Sequence, residues 1–465
     1  MSLFPISFWF SLACVLAVGC FGWLNRAKGW GYPAMAVCGT VIAWYHGDAF
    51  YNDYGDYVEG FTDQLLDEAW MQVALFALAF GIFMGFVPTI FFGKLKSRSS
   101  RVDALISGKT GLDALQPSLE KLARVIFWFW LVLLAINIYG SGGDILSVVA
   151  PYLAGYGGGM SRGQIATSIL DSLTVVVQTL LTLCAAVAGV CAALLRPGTG
   201  RNLMIAVIAL SWPRFLLDRT RNIMLVVVLP WLISLVFIRW RHRLVLQVAM
   251  LAVSFLAINS WFKFVLANRG ENGIVEVVMH QELQASMDED VRHQGFNMFE
   301  ELCWVNCLTD DGTYTPAWGM LYFANFVNPI PRAIWPNKPT MGLDYAIARG
   351  QGVNSEGEAT STVSVGMIGG GIANFGRLYG PVAAAFLMAL WCAFLARLDL
   401  MGDDYGFLLI YTVGIVGTFN FGRDVNIIAA YPAFFGFGFL WTWRRFHILQ
   451  NKNALHSPKR YNRLT

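Results

Sequence analysis

Long apolar runs, broken by short polar or basic stretches, recur along most of this chain, near residues 3–24, 31–46, 70–93, 122–139, 164–194, 202–217, 222–238, 244–267, 378–396, 406–421 and 425–443. A helix needs roughly 20 apolar residues to cross a bilayer, so the pattern predicts an all-α polytopic membrane protein with about eleven spans. The strict alternation of a transmembrane barrel is missing. One interval, 268–377, interrupts the series with polar stretches, proline-rich turns and a glycine-rich run over 366–371. It predicts a domain of short helices and loops on one membrane face, closing in a re-entrant or surface-lying stretch near 360–376, because irregular backbone at membrane depth is tolerated only beside protein or a cavity. The chain thus divides into spans with short loops (1–267), a large loop domain (268–377), further spans (378–443) and a basic tail (444–465).

Composition agrees with this pattern. Of 465 residues, 56% are hydrophobic and only 14% charged, where a soluble domain carries about a quarter. That excludes a soluble enzyme, a disordered chain and a small disulfide-stapled secreted domain. The net charge of +3 hides a sidedness. If the first span runs from outside to inside, Arg26, Lys28, Lys94, Lys96, Arg196, Arg239, Arg241, Arg397 and the tail cations all fall inside, as the bias of basic residues toward the cytoplasm requires. The loop over 48–69, acidic and free of Lys and Arg, then lies outside. The first span has no basic leader and no small-residue cleavage site, so it is expected to be a retained helix with its N-terminus outside. Most of the eight cysteines fall within spans, where Cys acts as a small hydrophobe. Cys303 and Cys307 would share one helix face, a poor geometry for a disulfide, and no His or Cys cluster beside them suggests a metal.

The informative residues are the cations left on the outer side, because a basic residue inside a span costs about 2.5–3.5 kcal/mol on insertion scales. An anion held at the outer face would explain them. Arg219 and Arg221, in Asp218-Arg-Thr-Arg-Asn222, sit in a short outer turn where a helix N-terminus and two guanidiniums could grip phosphate; snorkelling anchors would serve equally well. In the stretch 325–339, Pro329, Pro331, Pro336 and Pro339 hold the backbone extended and display Arg332, Trp335 and Lys338 on a stiff strap, suited to a charged glycan or to an interfacial lid. Asn-Phe-Gly-Arg occurs twice, ending at Arg377 and at Arg423. Asp424 either pairs with Arg423 or orients it, and Arg269 is expected near the same pocket. For proton transfer the outer candidates are His280, His293, Glu271, Glu300, Glu301 and Glu358, with His293 favoured because imidazole titrates in the useful range.

The strap Ile330-Pro-Arg-Ala-Ile-Trp-Pro-Asn-Lys-Pro339 resembles the signature of bacterial O-antigen polymerases, the oligosaccharide repeat unit polymerases. Ala373-Asn-Phe-Gly376, Gly380, Arg423-Asp424 and Arg219 are similar to further elements of that family, over roughly residues 210–430. The resemblance implies a GT-C-like, metal-independent glycosyltransferase of the bacterial inner membrane, acting at the periplasmic face without a cofactor. It would move a growing glycan from undecaprenyl diphosphate onto another lipid-linked repeat unit, in the lipid bilayer, with a chain-length regulator as a possible partner and no nucleic acid. Arg219, Arg332 and Arg423 would stabilise the leaving diphosphate. Arg221, Arg269, Trp335, Lys338, Arg377, Asn374 and Asp424 would bind substrate. Relatives carry a Glu shortly before Asn-Phe-Gly where this chain has glycines at 369–371, which leaves His293 or Glu358 as the expected base. Two rival readings are an O-antigen ligase, using the same donor with a lipid A-core acceptor, and a transporter of the lipid-linked glycan. Gathering of the odd charges at one face suits a surface reaction better than alternating access.

Overall fold

The computed structural model describes residues 4–51, 54–92, 99–108, 112–149, 169–216, 221–267, 298–328, 330, 334–339, 342–350, 363–400, 405–425 and scattered positions between 430 and 445. Every regular element among them is helical. In chain order they are α1 (Ile6–Leu24), α2 (Gly31–Val41, continued as a π turn over Ile42–His46), α3 (Gly47–Tyr51), α4 (Tyr54–Tyr57), α5 (Asp63–Phe92), α6 (Arg101–Ile106), α7 (Leu112–Gly140), α8 (Ile145–Val149), α9 (Ile169–Leu194) and α10 (Thr199–Leu216). Then follow α11 (Arg221–Ile233, with a π turn over Ser234–Arg239), α12 (Leu244–Ala267), α13 (Met298–Asp310), α14 (Met320–Val327), α15 (Leu343–Arg349), α16 (Met367–Leu400) and α17 (Tyr405–Phe421). Within α1, α5, α7 and α16 lie four helices long and apolar enough to cross a membrane, and shorter apolar helices accompany them.

Two hydrophobic cores organise these helices. The first gathers α1, α2, α5, α13, α16 and α17 around Phe8, Tyr45, Trp70, Phe80, Phe299, Met367 and Tyr411. The second gathers α7, α9 and α10 around Trp130, Val187, Ala188, Cys191 and Met204. The first hairpin shows how glycine sets the packing. Gly29 turns the chain at φ 81, and a Cβ on Gly31 would lie 2.3 Å from the Gly22 carbonyl oxygen, so only glycine admits so close a crossing.

The loop domain expected over 268–377 is not set apart from the spans. Helix α13 buries Phe299, Leu302, Cys303, Val305 and Leu308 in the first core, and Trp70 stacks on Phe299 with ring centroids 3.7 Å apart. Gln72 and Asn306 exchange two hydrogen bonds, 3.0 and 2.7 Å, between α5 and α13. Both amides are buried, and the reciprocal pairing satisfies them where water cannot. Glu300, Glu301 and Asn306 meet partners on other elements, Arg349, Tyr345 and Gln72. All the cysteines, Cys303 and Cys307 included, are free.

Candidate functional site

The site is built on a fold-back in α16. Gly376 adopts φ 77 and ψ 176, a non-helical conformation that splits the element into a short arm, 367–375, and a long arm, 377–400. The arms touch backbone to backbone: a Cβ on Gly371 would lie 2.2 Å from the Gly380 oxygen, and one on Gly380 2.4 Å from the Ile372 nitrogen. The glycine-rich run therefore forms a buried helix, not an irregular stretch.

At the upper end of the short arm the polar groups have protein partners. Asn374 donates to the Gly370 oxygen (2.8 Å) and accepts from the Leu321 amide (3.1 Å), which caps α14. Ala373 O accepts from the Ala317 amide (2.9 Å) and the Tyr314 hydroxyl (3.2 Å). Arg377 donates bidentately to Glu68 and also to Asp310. Asn374 and Arg377, expected to bind substrate, instead fasten α5, α13, α14 and α16 together. Two carboxylates leave that guanidinium no net charge to offer an anion.

The foot of the short arm meets the second Asn-Phe-Gly-Arg copy. Gly366 N donates to Arg423 O (2.8 Å), Met367 N to Gly422 O (3.2 Å) and Ile368 N to the Tyr45 hydroxyl (2.9 Å). These amides would be a ready anion site in an open helix N-terminus, but here they are capped by protein oxygens. The Arg423 side chain is exposed, and its Nε donates to Ser364 Oγ at 3.1 Å. Beside it, burial pushes the Asp424 carboxyl up to about 6, with the Arg423 charge opposing. Burial also raises the Tyr322 phenol, as do the charge of Asp424 and Tyr45. The Tyr322 hydroxyl and Asn420 Oδ1 are both buried without a hydrogen-bond partner. Asn420 is tied to the cluster by its backbone oxygen, which accepts from the Arg423 (3.1 Å) and Asp424 (3.2 Å) amides. The result is a cluster of an exposed cation, a carboxyl of raised pKa and two buried polar atoms without a hydrogen-bond partner. Tyr322, Tyr45 and Ser364 were not among the expected site residues. Only the lone phenol on α14, whose one other polar side chain is Asn325, hinted at the first.

The strap is stitched by Lys338, whose Nζ donates to Asn328 O (2.7 Å) and Ile330 O (2.8 Å). This expected substrate-binding lysine thus serves the strap's own carbonyls. Trp335 packs edge-on to Phe323, 6.3 Å between centroids. The outward cation Arg349 is likewise engaged: it lies 3.7 Å from Glu300 and 3.6 Å from Glu301 and 3.9 Å above the Trp304 ring. Tyr345 donates to Glu301 at 3.0 Å, so neither glutamate is placed as a free base. Arg219, Arg269, His293, Arg332 and Glu358 lie outside the described residues, and Arg221 is described only as the first residue of α11. Among the described residues no group of His, Cys, Asp and Glu could hold a metal ion. Comparison of the chain with protein-family models, with curated proteins and with solved structures finds no match.

Proposed function

We propose that this chain is a glycosyltransferase of the bacterial inner membrane that polymerises undecaprenyl-diphosphate-linked oligosaccharide repeat units at the periplasmic face, with about eleven spans in a GT-C-like arrangement. The observation that supports this reading most is the cluster of Arg423, Asp424 and the Tyr322 hydroxyl, which α14 joins just before the strap whose sequence resembles the polymerase signature. In the reaction the anomeric carbon parts from the diphosphate oxygen and bonds to an acceptor hydroxyl. The leaving diphosphate keeps the electron pair, and the acceptor loses a proton. Arg423, with Arg332 and Arg219, stabilises the departing charge. Asp424 is ionised at neutral pH yet more basic than an ordinary carboxylate, which suits it to take the acceptor proton; His293 and Glu358 are the other candidates for that role.

The test is an assay of the purified protein with a synthetic undecaprenyl diphosphate repeat unit, without metal or nucleotide sugar. The expected product is a ladder of longer lipid-linked glycans, reduced at least about 100-fold by Arg423→Ala and by Arg332→Ala, the range seen when one charge-stabilising donor is removed. A ladder undiminished in both variants rejects the reading. Transfer that begins only on addition of lipid A-core assigns the chain to the ligases.

A further inference from the structure

The end of α2 is wound as a π turn over Ile42–His46, a local widening that recurs at functional sites. Its last three side chains reach three different elements. Trp44 donates its indole N–H to Phe419 O at 2.9 Å, one of the terminal carbonyls of α17 that a helix leaves short of partners. The Tyr45 hydroxyl accepts from the Ile368 amide at 2.9 Å, in the first turn of the short arm. His46 Nε2 lies 2.9 Å from Ser11 Oγ in α1. All three side chains are buried, so these hydrogen bonds have no water to replace them.

The two segments that Trp44 and Tyr45 hold are also bonded to each other, and one of them carries Arg423. Gly366 N donates to Arg423 O and Met367 N to Gly422 O, which joins the foot of the short arm to the turn after α17. On the Gly366 half of this pairing the Tyr45 hydroxyl lies so close that a Cβ would come within 2.6 Å of it. On the Gly422 half a Cβ would overlap Trp44 Cδ1 and Thr40 Cγ2. Glycine at both positions lets the two aromatic side chains press directly on the paired backbone. Two further ties of Arg423, from its Nε to Ser364 Oγ and from its own amide to Asn420 O, belong to the same two segments.

We propose that Trp44 and Tyr45 are positioning residues for Arg423. From one turn of α2 they hold the end of α17 and the foot of the short arm in a single register, and that register sets the place of the guanidinium beside Ser364. They act through the backbone of the paired segments. That the guanidinium meets a leaving diphosphate rests on the proposed function; the positioning does not.

The test measures hydrogen exchange, resolved to single amides, in full-length protein in detergent carrying Tyr45→Phe or Trp44→Phe. The control is Trp130→Phe in the second core, which removes a comparable indole hydrogen bond to Ser211. Faster exchange at Ile368 in Tyr45→Phe reports only the lost bond. Positioning is expected to show at Gly366 and Met367, whose acceptors are untouched: exchange at least about ten-fold faster in both variants and unchanged in Trp130→Phe, since local opening sets the rate. In the glycan assay both variants are expected to lose kcat at least about ten-fold with little change in KM, because charge builds on the diphosphate as the bond breaks. Exchange unchanged at both amides, an equal rise in Trp130→Phe, or an intact kcat overturns the proposal. If the parent forms no ladder, the polymerase reading fails and the exchange rates alone decide the positioning.

Discussion

The two cores solve the packing of apolar helices differently. In the second, α9 contributes Cys184, Val187, Ala188, Val190, Cys191 and Ala192, and small side chains let neighbouring helices close in. Its polar contacts sit mainly at one end, where Gln116 meets Leu194 O and the Arg196 amide and Glu120 takes the Gly200 amide. Midway, the Trp130 indole donates to Ser211 at 2.9 Å. The first core is aromatic and carries polar fasteners deep inside it: Gln72 with Asn306, Ser11 with His46 at 2.9 Å, Trp391 with Thr418 at 2.9 Å and Tyr45 with Ile368. Van der Waals packing of small residues tolerates sliding, whereas a hydrogen bond in a low-dielectric interior specifies one register. Arg423 lies beside the core that is held in register, its backbone oxygen bonded to Gly366 N.

The sharpest contrast between the cores is expected at their glycines. Gly371→Val drives a Cβ into the Gly380 backbone at 2.2 Å, which cannot yield, so the protein should lose its fold, a cost above about 4 kcal/mol. Gly189→Ala in α9, which lines the second core, meets Trp212 Cζ2 and Trp231 Cβ at 3.0 Å, so the neighbouring helices must give by a few tenths of an ångström, and should cost about 1–3 kcal/mol as overpacking. Size-exclusion profiles and thermal unfolding in detergent measure both, and equal effects would erase the contrast.

Next comes the amide pair. Gln72→Leu strands the buried Asn306 carboxamide and should cost about 1–3 kcal/mol, and the double change Gln72→Leu with Asn306→Leu should recover much of it. Ser211→Ala in the second core should cost about 1 kcal/mol. A double variant no better than the single one refutes the pairing.

Arg377→Gln is expected to be milder, about 1 kcal/mol, because its carboxylate partners are partly open to solvent and exposed ion pairs contribute little. Arg423→Gln should change stability less still, while affecting transfer far more. Unfolding curves set beside the glycan assay separate these two copies of one tetrapeptide.

The last effect is a pH dependence. The folded protein keeps the Asp424 carboxyl protonated up to about 6, whereas an unfolded Asp titrates near about 3.9. The folded state thus holds the extra proton, so stability falls as pH rises from about 4 to about 6 and is level above that. Asp424→Asn should match the parent at pH 4 and melt a few degrees higher at pH 7. A difference that is the same at both pH values removes the burial argument.

Much of the helical architecture was legible from apolar run length. The runs near 31–46, 202–217, 244–267 and 406–421 coincide closely with α2 and its π turn, α10, α12 and α17. A re-entrant feature was expected near 360–376, and the short arm occupies 367–375, though as a regular helix. Other features were not legible. Nothing local in Met298–Asp310 reveals that its Asn306 has Gln72 as a partner, and nothing in the strap shows that Lys338 turns back onto Asn328 and Ile330. These are properties of pairs distant along the chain or of a backbone path, which a hydrophobicity pattern does not encode.

The sequence by itself determined that the chain is helical and rich in apolar segments, because the free energy of burying a segment sums over its own residues. It also determined where the basic residues lie along the chain and which stretch resembles the polymerase signature. Only the tertiary structure decided which groups those cations meet. Asn-Phe-Gly-Arg at 374–377 and at 420–423 is the same four residues twice. The first copy's arginine meets Glu68 and Asp310; the second copy's is exposed beside Asp424 and the partnerless Tyr322 hydroxyl. A charge acts through its neighbours in space, and those are supplied by the fold.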